Sequence, residues 1–175
     1  MMARSFATLL TAALVFSQAA LADSAQGIQL RRLGDESVIA FATKFFYKRH
    51  PNALNWSFKA RYRAAENWTK LVREQTYAAE IDIGDGKPAL LLVVESPNWC
   101  DTEGCLGTIF KKTATGYMLI CEAALPPPEA DTTHAEILPK VENGYHQIAT
   151  TNKIIEWNPQ PDETGLLCTE ESRTR

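Results

Sequence analysis

The sequence predicts an α+β domain in which two N-terminal helices pack against an antiparallel β-sheet of five to seven strands, stapled by disulfides. Apolar residues recur every three or four positions as far as Gln75, which is the spacing of one face of a helix. From Ala79 to Ile83 they alternate with polar residues, which is the spacing of a strand. The cysteines all follow this change of period, and their even number favours disulfides over free thiols.

The first residues have the pattern of a secretory signal peptide. Arg4 supplies positive charge, Phe6–Phe16 form an apolar stretch, and Ala20-Leu21-Ala22 fits a cleavage site with small residues. We therefore expect residues 1–22 to be a signal peptide and residues 23–175 to form a single domain. Because no later apolar run reaches membrane-spanning length, we expect a periplasmic or secreted protein without a transmembrane segment after cleavage.

Two helices are predicted before the strands. The first begins near Asp35, a favourable N-cap, and ends before Pro51, which cannot continue a helix. The second runs from about Ser57 to Gln75 with apolar residues at helical spacing. Residues 23–33 have no clear period and are expected to form a loose leader.

Seven strands are predicted from alternation, apolar runs and turn signals: 79–83, 89–94, 106–111, 117–123, 137–141, 145–149 and 154–157. The run 89–94 is continuously apolar, which is typical of a central strand covered on both faces. Alternation places Tyr117, Leu119 and Cys121 on one side of the sheet, with Cys121 directed inward. The polar, proline-bearing tail 158–175 is expected to be largely flexible except where Cys168 holds it.

The four cysteines allow three disulfide pairings, which sequence alone does not distinguish. Proximity favours Cys100 with Cys105, which leaves Cys121 with Cys168. A zinc site is the alternative, but a C-x4-C pair followed by two widely separated cysteines lacks the usual ligand spacing. We therefore predict two disulfides and no metal site.

The short loop between Cys100 and Cys105 is the predicted binding site. It encloses Asp101, Thr102 and Glu103, and a stiff ring would position their side chains before a partner arrives. Trp99, directly before the ring, would serve as an exposed aromatic anchor of the kind favoured at binding hot spots. In the alternative interpretation the disulfide is a structural staple and Trp99 lies in the core.

The charge is unevenly distributed along the chain. Residues 23–78 hold ten Lys or Arg and five Asp or Glu, whereas residues 79–175 hold seven and sixteen. A basic half can bind an anionic glycan or lipid surface. We expect instead that the acidic half of the same molecule compensates it, and we predict no nucleic-acid partner.

The sequence contains no recognisable catalytic motif. His50, His134 and His146 are widely separated, and a cysteine–histidine hydrolase would need a free thiol. A calcium loop is disfavoured at Gly84-Asp85-Gly86, because Ile81 and Ile83 would fall at ligand positions without offering oxygen. We predict no catalytic residues and no cofactor.

The stretch from Ile81 to Ile148 resembles a pattern in small, largely uncharacterised secreted bacterial proteins. In that pattern a D-x-N-G-D-G turn, an apolar strand, a C-G-x-x-G-C loop, a hairpin with Gly-Tyr and an N-G-Y segment follow one another. This chain has Gly84-Asp85-Gly86, the cysteine loop and Asn143-Gly144-Tyr145 at the corresponding places, with Asp101 where the pattern has glycine. That group has no established activity for the resemblance to imply.

A weaker likeness is to the periplasmic inhibitors of vertebrate lysozyme, in which a C-x4-C loop after a strand presents a histidine to the enzyme. The loop from Cys100 to Cys105 has the spacing but encloses no histidine, so the inhibition does not carry over by residue. Together these observations favour a periplasmic, non-catalytic binding protein with a protein partner, in its sharpest form an inhibitor of a cell-wall-acting enzyme. The alternatives are an enzyme acting on envelope polymers, or a structural envelope protein that binds anionic glycan or lipid through its basic helices.

Overall fold

The computed structural model describes residues 25–49, 65–97, 99–128 and 135–173. Its elements in chain order are β1 (Gln26–Gly27), β2 (Arg31–Arg32), α1 (Glu36–Arg49), α2 (Ala65–Gln75), β3 (Thr76–Asp82), β4 (Pro88–Val94), β5 (Cys105–Thr113), β6 (Gly116–Leu125), β7 (Glu136–Glu142), β8 (Tyr145–Ala149), β9 (Lys153–Trp157) and β10 (Cys168–Ser172). The α+β class is confirmed, as are all seven predicted strands. The predicted start of the second helix at Ser57 lies outside the described residues.

The described strands form two antiparallel sheets of five strands each, where a single sheet was expected. The inner sheet has the order β2-β3-β4-β5-β6, and the outer sheet has the order β1-β7-β8-β9-β10. One apolar core lies between the two sheets, and a second lies between the inner sheet and the two helices. The molecule therefore has three layers, with the inner sheet in the middle.

Strand β4 lies at the centre of this arrangement. Leu91 and Val93 face the core between the sheets, whereas Leu90, Leu92 and Val94 face the helices. All five side chains are buried, as the continuous apolar run predicted. The neighbouring strands β3 and β5 pair with β4 along its length, so its backbone is satisfied on both sides.

A bulge in β6 overturns one expectation about the inner sheet. Leu119 and Cys121 pair with consecutive residues of β5, so Ile120 is an extra residue that reverses the alternation of side chains. Tyr117 and Leu119 consequently pack toward the helices, and Cys121 packs toward the outer sheet. The prediction that these three residues share one side was wrong, although Cys121 does point inward and bonds to Cys168.

The segment that was expected to be a loose leader closes one side of the two-sheet sandwich. It contributes β1 to the outer sheet and β2 to the inner sheet. Ile28, between these strands, is buried, and its N–H donates to the carbonyl of Ala135 at 3.0 Å. The lack of periodicity in this segment reflects strands of two residues, which are too short to show alternation.

The C-terminal segment closes the opposite side of the two-sheet sandwich. Residues 168–172 form strand β10, which pairs with β9 and was not predicted. Its first residue, Cys168, is bonded to Cys121 of β6, so the disulfide joins the edge strands of the two sheets. Before it, the Asp162 carboxylate accepts hydrogen bonds from the N–H groups of Thr164 and Leu166, which orders the turn that leads to the strand.

The two disulfides are expected to differ in their contribution to stability. Replacing Cys121 and Cys168 by Ala should lower the free energy of unfolding by about 4 kcal/mol, because that bond closes a long loop in the unfolded chain. The same replacement of Cys100 and Cys105 should cost about 2 kcal/mol, since its loop is short. Urea denaturation of both double variants measures the difference. An equal loss in the two would contradict the assignment of the long-range bond as the main constraint.

Candidate functional site

The cysteine loop is a compact turn between β4 and β5. A disulfide joins Cys100 to Cys105, and the N–H of Asp101 donates to the carbonyl of Gly104 at 2.8 Å. The Asp101 carboxylate in turn accepts the N–H groups of Glu103 and Gly104, at 2.7 and 3.2 Å. Both predicted disulfides are thus confirmed, and the loop backbone is held by the side chain of its own first residue.

Gly104 allows the loop to pack closely against the end of β6. Its φ of +144° belongs to the region that favours glycine, and a Cβ atom at this position would lie 2.5 Å from the carbonyl oxygen of Leu125. The backbone of the loop can therefore approach β6 only because residue 104 lacks a side chain.

Trp99 is a core residue, which corrects its predicted role as an exposed anchor. Its side chain is 8% exposed and belongs to the core between the helices and the inner sheet. The indole meets the ring of Phe46 in α1 edge to face, with centroids 4.7 Å apart. The turn that leads into the disulfide directs this side chain toward α1, whereas Asp101, Thr102 and Glu103 remain exposed.

An ion-pair bridge connects the loop to the outer sheet. The ammonium group of Lys153 lies 2.6 Å from the Glu103 carboxylate and 2.5 Å from that of Glu170. The other oxygen of Glu170 accepts the N–H of Ala124 on β6. One lysine thus ties the cysteine loop to β9 and β10, and through Glu170 to the edge of the inner sheet.

The hydrogen bonds to Glu103 and Glu170 raise the pKa of Lys153 above the ordinary lysine value. A pKa that is higher in the folded than in the unfolded state stabilises the fold below the unfolded-state value. This stabilisation is lost only as the pH rises through the raised pKa. Lys153 is therefore protonated throughout the neutral pH range.

These elements enclose a groove at one end of the sandwich, which we call the loop groove. It has a volume of about 580 Å³. Its wall is formed by residues 101–104 of the cysteine loop, Pro126 and Pro127 after β6, residues 150–153 of the turn between β8 and β9, and Ser172. Hydroxyl, amide and carboxylate groups and Lys153 line it together with two prolines, so the groove offers hydrogen-bonding groups on a stiff frame. Sequence analysis found one wall of this groove, while the other walls come from segments far away in the chain.

A second polar cluster, which sequence analysis did not predict, lies where the turn after β3 meets the hairpin of β7 and β8. The ammonium group of Lys111 lies 2.6 Å from the Asp85 carboxylate and donates to the Tyr145 hydroxyl at 2.9 Å. The N–H of His146 donates to the carbonyl of Ile83 at 2.8 Å. The glycine turn and the Asn143-Gly144-Tyr145 turn, which both lie within the stretch compared above, therefore meet in space.

The ion pair of this cluster is partly buried. Burial acts to raise the pKa of Asp85, but hydrogen bonds from Lys111 and from the N–H of Lys87 outweigh it, so the pKa lies below the ordinary value. The hydrogen bonds to Asp85 and Tyr145 raise the pKa of Lys111. Both groups are thereby held in their charged forms at neutral pH.

Gly84 is required by the packing of His146 in the same cluster. Its φ is +90°, and a Cβ atom there would lie 2.8 Å from Cδ2 of the imidazole. His50 and His134 lie outside the described residues. Within residues 25–49, 65–97, 99–128 and 135–173, no group of three or more His, Cys, Asp or Glu side chains could hold a metal ion.

The basic face of the helices is partly neutralised. Arg49 of α1 forms a bidentate ion pair with Glu122 of β6, with distances of 3.1 and 2.9 Å, so basic helix and acidic sheet do meet at this point. Arg73 pairs with Glu36 instead, within the helical half of the chain. Lys59 and Arg63, which the helical spacing places on the outer face of the predicted second helix, lie outside the described residues.

Comparison with known proteins gives no guide to the identity of the chain. No protein-family model, curated protein or solved structure matches it. Among the described helices, none is long and apolar enough to cross a membrane.

Replacement of Trp99 by Ala should act on stability. Removing a buried tryptophan from a packed core typically lowers the free energy of unfolding by about 3–5 kcal/mol. Thermal and urea denaturation would measure the loss. Thr102→Ala, two residues into the exposed part of the loop, is the matched control and should leave stability within about 0.5 kcal/mol. Unchanged stability of the Trp99 variant would contradict its assignment to the core.

The basic helix face should show only weak, salt-sensitive binding to anionic surfaces. Exposed charges are largely screened beyond the Debye length, about 8 Å at physiological ionic strength. Co-sedimentation of the protein with anionic vesicles should therefore disappear near 0.15 M salt. Retention on the vesicles at that ionic strength would favour a structural protein that sits on lipid or glycan.

Proposed function

We propose that this protein is an exported, non-catalytic binding protein of the periplasm, and that its loop groove receives a surface of another protein. The observation that carries the proposal is the exposure of Asp101, Thr102 and Glu103 on a loop whose ends are joined by a disulfide. A surface that is ordered before binding loses less conformational entropy when a partner arrives. The ion pair between Glu103 and Lys153 adds a second constraint on the same loop.

The disulfides and the predicted signal peptide support the proposed location. Disulfides persist in oxidising compartments such as the periplasm. They also occupy all four cysteines of the chain, which removes the thiol that a cysteine-dependent enzyme would need. Both features support an exported binding protein over an enzyme of that class.

In its sharpest form the proposal is inhibition of an enzyme that acts on the cell wall. Enzymes whose substrates are anionic polymers benefit from positive potential around the active-site cleft. The carboxylates of Asp101 and Glu103 are complementary to such a surface. The hydroxyl of Thr102, between them, is able to donate a hydrogen bond to the carboxylates that glycoside hydrolases carry in the cleft.

The test removes the two loop charges while keeping the loop intact. The double variant Asp101→Asn, Glu103→Gln retains oxygen acceptors for the loop N–H groups and for Lys153. Inhibition should be measured against vertebrate lysozyme and against cell-wall hydrolases isolated from periplasmic extract, using the turbidity of peptidoglycan suspensions. Loss of even one desolvated charge contact should weaken inhibition about thirtyfold, because truncating such a contact costs about 2 kcal/mol, and loss of both should weaken it further.

The matched control is the double variant Glu136→Gln, Glu163→Gln, which removes two exposed carboxylates that do not line the loop groove. It should inhibit as the unmodified protein does. Equal inhibition by the two double variants would place the working surface elsewhere. If the protein inhibits none of the enzymes tested, it is not an inhibitor of this class. If the loop variant captures a partner as well as the unmodified protein does, the loop groove is not the binding site.

A further inference from the structure

The inner sheet has an edge that its neighbour covers only in part. Strand β2 pairs with Tyr77 and Ala78 of β3, and the N–H of Leu33 donates to the carbonyl of Thr76 at 2.9 Å. Strand β3 continues as far as Asp82. Among the described strands, none pairs with this second half of β3 on the side away from β4.

The direction of the backbone groups along β3 follows from the alternation of antiparallel pairing. Because the carbonyl of Thr76 points toward β2, the backbone groups of Ala78, Glu80 and Asp82 point to the same side. Those of Ala78 meet β2, whereas those of Glu80 and Asp82 extend beyond its end. The edge thus presents two residues whose N–H and carbonyl groups are directed away from their own sheet.

The outer sheet presents a similar edge opposite. The N–H of Ile28 points toward Ala135, so the backbone groups of Gly27 and Gln29 point away from β7. A cavity of about 340 Å³ lies between the two edges. It is lined by Gln26, Gly27, Gln29, Glu80, Ile81, Asp82, Pro88 and Ile137. We call it the edge slot.

Gly27, on the rim of the edge slot, is exposed, and because Ile28 next to it points into the core, a side chain at position 27 would point outward. A Cβ atom added to this glycine would meet no other atom within 4 Å, and its φ lies outside the region that favours glycine. The buried side chains of Ile81 and Ile137 form an apolar part of the lining. The slot therefore combines directed backbone groups, an apolar surface and free space, which are the requirements for addition of a strand.

The charges around the edge slot determine which kind of strand would bind there. Glu80 and Asp82 lie on β3, and Glu136 pairs with Gly27 in the outer sheet. The basic residues close to the slot in the fold are Arg31, which pairs with Ala78 of β3, and Lys87, which precedes Pro88 of the lining. A second copy of β3 is a poor occupant, because antiparallel pairing about residues 80–82 would set carboxylates opposite one another.

We propose that the edge slot is a docking site for an extended segment of a partner protein that carries Lys or Arg at alternate positions. The segment extends the inner sheet beyond β3 by backbone hydrogen bonds to Glu80 and Asp82. Its basic side chains lie against the carboxylates of the same two residues. This surface is distinct from the loop groove, which is lined by the cysteine loop, the turn between β8 and β9 and residues at the ends of β6 and β10.

The experiment uses synthetic peptides as probes. One peptide alternates Val with Lys, and a second of equal length alternates Val with Glu. Titration into isotope-labelled protein, followed by amide NMR shifts, should move the resonances of Gly27, Gln29, Glu80 and Asp82 with the lysine peptide. The glutamate peptide should bind about tenfold more weakly or worse, since like charges directly opposite one another are destabilising.

Two N-methylated forms of the lysine peptide test the backbone contacts. One is methylated at every Val and the other at every Lys, so each loses the N–H groups of one strand edge. Strand addition predicts that one form binds like the parent peptide and the other binds about tenfold more weakly. Equal binding of both forms, or shifts that map to other residues, would overturn the proposal.

Variants of the protein complete the test. Glu80→Pro removes an N–H group that points away from β4, which an edge strand tolerates, and should abolish binding of the lysine peptide. Glu80→Lys should reverse the preference toward the glutamate peptide. If the acidic edge serves only to prevent association with other strands, no peptide binds, and the proposal fails.

Discussion

The burial of strand β4 on both of its faces is the constraint on which the rest of the structure depends. Leu91, Leu92 and Val93 have no exposed surface, and fully burying such a side chain contributes about 1.5–3 kcal/mol. A strand with two apolar faces requires a layer on each of them. The helices supply one layer and the outer sheet supplies the other, and the closing segments at both edges of the sandwich follow from keeping these layers in place.

Much of this arrangement is readable from the sequence, because it depends on local patterns. The apolar run of β4, the Asn143-Gly144 turn and the alternation of most strands each specify one element without help from the rest of the chain. Asn143 and Gly144 both adopt positive φ, as the favoured two-residue hairpin turn demands. The division into two sheets was not predictable in this way, since it depends on which strands pair and not on the strands themselves.

The misplacement of Tyr117 and Leu119 has a physical cause. A bulge at Ile120 reverses the alternation at a single residue, and no residue type in the segment marks it. Strands β1, β2 and β10 were missed for a related reason. They form through contacts with distant partners, such as the pairing of Cys168 with Trp157, and their own sequences carry little periodicity.

In the candidate site, too, the features set by neighbouring residues were predictable, and those set by contacts with distant parts of the chain were not. The disulfide loop and the exposure of its acidic residues follow from the C-x4-C spacing, whereas the contact of Trp99 with Phe46 depends on where α1 packs. Lys153 and Glu170 reach the loop from the other sheet, so sequence reasoning had no means to associate them with it.

The hydrogen-bonding pattern of the cysteine loop separates the residues that build it from the residue at its tip. Asp101 and Gly104, with the two cysteines, hold the backbone, and Glu103 is tied to Lys153. Thr102 is exposed, and its side chain takes no part in these bonds. Residue 102 is therefore a position at which the chain can change its surface chemistry at little cost to the fold, and a lineage of such proteins could acquire new partners there by single substitutions.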